Sequence, residues 1–283
     1  MNADKILFRC SSLGYLMTEP KNKSEKLSET TKTHLVDVYV ANVYGRHTEI
    51  DNKFLSKGNA EEENAITAYS LVKKRMFKKN NKRLSNDFIS GEPDLFIGES
   101  IYKADAIIDT KTSWDVFTYS RAKASPLNKM YFWQGMGYMA LTGAKECTIA
   151  YCLINTPYQL VNRELYNESY KHPDNNTPAW REIEIIKNHV YDVNTFKDYV
   201  QQRGCFPVTE KDVEMFDSFI EIPLDKRVHE KTFARNDEHI DSLYKRIKDC
   251  REWMNENLFD KPLIMLATHC PETDAILIEK GKG

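Results

Sequence analysis

Apolar residues along the chain recur at helical spacing in some stretches and in short strand-like runs in others, and their order predicts a layered α/β protein. Leu35, Val36, Tyr39, Val40 and Val43 fit one face of a helix over about 28–44. A second helix, about 59–79, carries the stripe Glu62, Ala65, Ile66, Tyr69, Val72 and Met76. Of the three adjacent glutamates only Glu62 falls on that stripe, and an inward carboxylate needs a cation or a hydrogen-bonding partner. Glu61 and Glu63 suit the positive end of the helix dipole. Three apolar runs follow, at about 85–90, 93–98 and 104–111, separated by Gly91 and by Gly98 to Ser100. Such short separations predict an antiparallel meander. A helix over about 127–141 stops at Gly143, and Cys147 to Ile154 supplies another strand. The order helix, three-strand meander, helix, strand predicts a mixed central sheet flanked by helices.

Beyond Pro157 the pattern predicts a helix at about 158–170, a polar loop to Pro178, a strand near 182–192 and short helices to about 220. A long amphipathic helix follows, with Ile240, Leu243, Tyr244, Ile247, Cys250, Met254 and Leu258 along one side. The chain therefore reads as one domain in four parts. These are an N-terminal helical cap (1–54), a core (55–155), a C-terminal elaboration with the amphipathic helix (156–260) and a tail (261–283), the last an added strand or a partly ordered end.

The 283 residues suffice to bury a large interior without crosslinks. The six cysteines form no CxxC pair and have no histidine at zinc-finger spacing, so packed free thiols are expected and a four-cysteine iron–sulfur cluster is not. No apolar stretch approaches the ~20 residues of a membrane span, and the first residues lack the apolar core of a secretory signal. The expected location is the cytoplasm of a bacterium or of a phage-infected host. A net charge of −2 disfavours simple nucleic-acid binding by bulk attraction, but its distribution changes the picture. Lys73, Lys74, Arg75, Lys78, Lys79, Lys82 and Arg83 cluster, and Arg121, Lys123 and Lys129 flank the start of the 127–141 helix. Either cluster is equally at home as a solvated helix end.

The densest chemistry lies at Asp109-Thr110-Lys111. An acidic residue two before a lysine also occurs at Glu19–Lys21 and Asp51–Lys53, but there in polar surroundings. Asp109 and Lys111 end an apolar strand, and alternation puts both on one face. A structural ion pair seldom repays its desolvation there, which favours a functional pair. Asp94, after Pro93 at a strand start, is one hairpin away. Two carboxylates and a backbone carbonyl suffice on the protein side for Mg²⁺, which keeps several waters. Gln134 and Tyr138, four apart, share a face of the next helix, and a glutamine in so apolar a surface needs a polar partner.

These spaced elements resemble the PD-(D/E)XK nucleases, in the branch of RecB-like domains, lambda exonuclease and YqaJ-like viral recombinases. Gly58-x3-Glu62 is similar to the family's helix motif, Pro93-Asp94 to its proline–aspartate element, Asp109-x-Lys111 to its catalytic strand, and Gln134-x3-Tyr138 to its fourth motif. The resemblance implies a restriction-endonuclease-like core at about 55–155 and a site in which Glu62, Asp94, Asp109 and the Thr110 carbonyl hold Mg²⁺ or Mn²⁺. It further implies that Lys111 assists the attacking water and that Arg9, Ser11 and Ser12, with Arg121, Lys123 and Lys129, contact DNA. The expected activity is exonuclease action on duplex DNA ends in phage-type recombination or replication. A single-strand annealing protein is an implied partner and a homo-oligomer an implied assembly. A structure-specific or restriction-like endonuclease is the alternative on the same core, and a non-catalytic DNA-binding recombination protein the alternative outside enzymes.

Overall fold

A computed structural model describes residues 2–48 and 52–260. The tail at 261–283 lies outside the described residues, as do Asp51 and Cys270. Among the described residues seven strands form two sheets. The larger has the order β4 (Leu95–Ser100), β5 (Lys103–Thr112), β6 (Glu146–Cys152), β7 (Val228–Ala234). β5 pairs antiparallel with β4 and parallel with β6, and β6 pairs antiparallel with β7, so the sheet is mixed. The smaller sheet sets β3 (Ile89–Gly91) between β1 (Phe8–Arg9) and β2 (Leu84–Ser85).

The expected three-strand meander is therefore split. Only the β4–β5 hairpin belongs to the main sheet, and the run at 85–90 is itself a hairpin that pairs with the N-terminal segment. β1 falls in a stretch expected to be wholly helical, because a two-residue strand carries no periodicity.

The helices are α1 (Leu13–Leu16), α2 (Glu29–Tyr44), α3 (Lys53–Val72), α4 (Val116–Ala124), α5 (Lys129–Thr142), α6 (Tyr158–Ser169), α7 (Ala179–His189), α8 (Val193–Arg203), α9 (Glu210–Asp217) and α10 (Asp237–Met254). β5 is covered on both faces. Ile108 packs with Ala65, Ile66 and Tyr69 of α3, whereas Ile107 shares the main core with Met136 and Met139 of α5. Gly143 ends α5 at φ +78°, a left-handed cap that glycine adopts without strain.

α7 corrects the strand expected at 182–192. Ile183 and Ile185 between glutamates imitate strand alternation, but Ile183 and Ile186 share the buried helical face, and Pro178 leads the chain into the first turn. α6 to α9 enclose a second small core around Leu165, Ile186, Phe196 and Val200. α10 returns to the main core through Leu243, Ile247, Cys250 and Met254. The five cysteines among the described residues are buried and free.

Two glycines let α5 and the N-terminal segment approach closely. A methyl group at Gly137 would lie 2.5 Å from Leu13 Cδ1, and one at Gly91 would lie 2.7 Å from Cys10 Sγ and 2.8 Å from Tyr138 Cε1. Cys10, Gly91 and Tyr138 are thus packed to contact, which seats the N-terminal turn beside the end of β5.

Candidate active site

β5 is the central strand in which Asp109 is 1% exposed and Lys111 retains partial access. Alternation sends both side chains toward α5 and sends Thr110 the other way. Lys111 Nζ stands 2.5 Å from Asp109 Oδ2 and 5.0 Å from the centre of the Tyr131 ring. Burial alone would pull the Lys111 ammonium down, but the Asp109 and Asp94 charges and the Asp109 contact outweigh it and hold its pKa above the ordinary value.

Gln134 Nε2 donates to Asp109 Oδ1 at 3.2 Å and to the Tyr138 hydroxyl at 2.8 Å. The buried glutamine thereby has the partners its apolar helix could not supply. Burial and the nearby Asp109 charge keep the Tyr138 phenol well above its usual pKa, so it is neutral.

Asp94 sits just before β4 and accepts from Thr110 through both the backbone N–H at 2.7 Å and the hydroxyl at 2.8 Å, all on Oδ2. Asn80 braces this corner. Its backbone N–H donates to the Asp94 carbonyl at 2.7 Å and its side chain to the Pro93 carbonyl at 3.0 Å. Burial, then the Asp109 charge, pushes the Asp94 carboxyl up to about 7, despite Lys111 and the Thr110 hydrogen bonds acting the other way.

The glutamate triplet departs from expectation. α3 starts at Lys53 and ends at Val72, and its buried face runs through Lys57, Glu61, Ala65, Ile66, Ala68 and Tyr69. Glu61 is therefore the most buried of the three, where it accepts from Asn64 at 2.7 Å, while Met76 lies beyond the helix and is exposed. Glu62 is half-buried and paired with Lys79 at 2.7 Å. The helix extends back to Lys53, and its buried face continues from Ala65 in four-residue steps through Glu61 and Lys57, which turns Glu61 inward and leaves Glu62 on the flank.

Glu62, Asp94, Asp109, Thr110, Lys111, Gln134 and Tyr138 nevertheless line one cleft of about 910 Å³. Ser11 and Arg121 also line it. Arg9, Ser12, Lys123 and Lys129 do not, and the Ser12 hydroxyl is spent on the Arg9 carbonyl at 2.9 Å. The basic run at 73–83 is partly neutralised by Lys73–Glu230, Lys79–Glu62 and Arg83–Glu92 pairs.

The donor set suits a hard cation: carboxylates facing the cleft, two of them close enough to raise one pKa, and a buried Asp109 Oδ2 whose partner is the Lys111 ammonium. Among the described residues no three such side chains already converge on one ligation point. Glu62 is held aside by Lys79 and Asp94 by Thr110.

Several further residues shape the site with little signal in the sequence. Tyr131 precedes Gln134 by three positions on the same face of α5, a spacing that could have marked it. Phe54, Leu55 and Trp114 form an apolar wall, with Phe54 about half exposed. Lys57, fully buried, donates to the Trp114 carbonyl at 2.9 Å.

The fold and the cleft together define a restriction-endonuclease-like α/β core. No protein-family model matches the sequence, and no curated protein matches it. Among solved structures the chain is similar to a phage-related exonuclease from Haemophilus somnus 129PT, with 25% identity and a TM-score of 0.60 over 89% of this chain and 95% of that one. It is also similar to the alkaline exonuclease LHK-Exo of Laribacter hongkongensis, at 12% identity and TM-score 0.53 over 90% of each chain. LHK-Exo in complex with dAMP matches at 13% identity and TM-score 0.51, over 88% of this chain and 92% of that one. These neighbours agree with the resemblance to the PD-(D/E)XK nucleases, and the chain shares their fold. Among the described residues no helix is long and apolar enough to cross a membrane.

Proposed function

We propose that this protein is a metal-dependent DNA exonuclease that hydrolyses phosphodiester bonds from duplex ends, in phage-type recombination or replication. The observation that carries the reading is the assembly of Glu62, Asp94, Asp109 and Lys111 on one cleft, with Gln134 bonded to Asp109. Exonucleases as fold neighbours, one of them crystallised with dAMP, support nuclease action and a nucleotide-based substrate.

Mg²⁺ or Mn²⁺, held by Glu62, Asp94, Asp109 and the Thr110 carbonyl, would supply Lewis-acid stabilisation of charge on the phosphate. The protein's own groups do the rest. Lys111, kept protonated by Asp109, presents a fixed positive charge to the phosphate oxygens or orients the attacking water. Gln134 holds Asp109 in one orientation and leaves Oδ2 facing Lys111. Arg121 and Ser11, which line the cleft, would contact the DNA backbone.

Incubation of linear and covalently closed circular duplex with the protein, in Mg²⁺ and in EDTA, tests the reading. Degradation confined to linear DNA in Mg²⁺ is expected. Cutting of closed circles identifies an endonuclease instead, and equal activity in EDTA removes the metal.

A further inference from the structure

We infer that Lys231, on the β7 strand far along the chain, is a positioning residue that sets the wall of the cleft carrying Arg121, an inference that rests on the nuclease reading. From the middle of β7, where Lys231 pairs with Ile149 of β6, its ammonium stands 5.7 Å from the centre of the Tyr151 ring and donates to the carbonyls of Ala122, at 2.6 Å, and Ser125. These carbonyls close the C-terminal end of α4, where a helix leaves oxygens without partners and where a cation is favoured by the dipole.

The stretch from α4 to α5 ties this contact to the cleft. Arg121, Ala122, Ser125, Pro126 and Asn128 line it. Asn128 is fixed on its far side as the cap of α5, accepting from the Met130 N–H at 2.8 Å. At its near side α4 is fixed by the Asp115 capping box and by the Tyr119 hydroxyl, which donates to the Lys226 carbonyl at 2.8 Å. Lys231 supplies the pin between these points, at the turn that carries Arg121 toward the substrate. Its own base is rigid, because β7 pairs with β6 from Val228 to Ala234. Lys231 and Lys226 thus hang α4 from the C-terminal part of the chain, and Lys231 acts on DNA only through Arg121 and the wall beside it.

Steady-state kinetics on linear duplex DNA in Mg²⁺ test this with Lys231→Met, Lys231→Arg, Arg121→Ala and the Lys231→Met/Arg121→Ala double variant. Lys231→Met is expected to raise KM about fivefold with kcat within about twofold, and to lower the salt slope of DNA binding by about one, as Arg121→Ala does. Lys231→Arg, which keeps donors for both carbonyls, is expected to restore KM to within about threefold of wild type. In the double variant the Arg121→Ala effect shrinks to about twofold or less, because the two residues act as one unit. A loss confined to kcat, an unchanged salt slope or fully multiplicative effects overturn the inference while leaving wild-type DNA degradation, and so the nuclease reading, intact. A wild-type protein that neither binds nor degrades DNA overturns both.

Discussion

Gln134 on α5 donates its side-chain amide to Asp109 on the central strand and to Tyr138 one turn further along the same helix. A single neutral group therefore orients the carboxylate that pairs with Lys111. Replacing Gln134 with Leu removes both bonds without changing charge. Turnover on linear duplex is expected to fall about 10- to 100-fold, the cost of misplacing one site group, with the circular dichroism spectrum unchanged. Turnover within about twofold of wild type separates Gln134 from the chemistry.

Asp94 leads to a prediction about pH. Its folded pKa is raised, to about 7, above the ordinary carboxylate value of 3.8. The folded protein therefore binds more protons than the unfolded chain between those limits, so Asp94's contribution to stability is present at low pH and lost as pH rises through 7. In EDTA, Asp94→Asn is expected to gain stability relative to wild type as pH goes from about 4 to about 7. Urea unfolding midpoints at matched pH check this, and a constant difference across the range contradicts it.

Lys57 has the opposite sign. Burial lowers its ammonium to about 7 despite the Glu61 and Asp115 charges. The unfolded chain holds that proton up to a higher pH, so Lys57's contribution to stability is lost as pH falls toward 7 and recovered as pH rises toward 10.5. Lys57→Met removes the titrating group, and the Trp114 carbonyl keeps the Thr156 hydroxyl as a donor at 3.2 Å. The Tm of wild type minus that of the variant should rise steadily between pH 7 and 10. A flat difference shows that Lys57 keeps an ordinary pKa in the fold.

Much of the site was readable in the sequence because its residues sit where patterning and chemistry disagree. Asp109 and Lys111 interrupt an apolar strand, Gln134 interrupts an apolar helix, and each of these conflicts with burial proved to be a contact on the cleft. The long helix α10 was also readable, since it carries a sustained apolar stripe, whereas α2 buries only Thr31, Leu35 and Tyr39 and leaves Val36 exposed. What escaped has physical reasons. β1 and β2 are two residues long, and only their pairing with β3 makes them strands. β7 is half-buried along most of its length, with no alternation over Val228 to Lys231 and few apolar residues, so its pairing with β6 defines it. α3 begins with Lys53 and buries Lys57, a charged residue that no hydrophobic pattern places inside, so the pattern points to Glu62 where the fold turns Glu61 inward.

DNA hydrolysis is proposed to take place in the cleft around Asp109 and Lys111. Degradation of end-labelled linear duplex in Mg²⁺ by wild type and by Lys111→Ala tests it most directly, with matched thermal unfolding to confirm that both are folded. Processing by the wild type and a loss of at least about 100-fold in the variant are expected. Equal degradation by the two proteins contradicts the assignment of the site, whatever the fold.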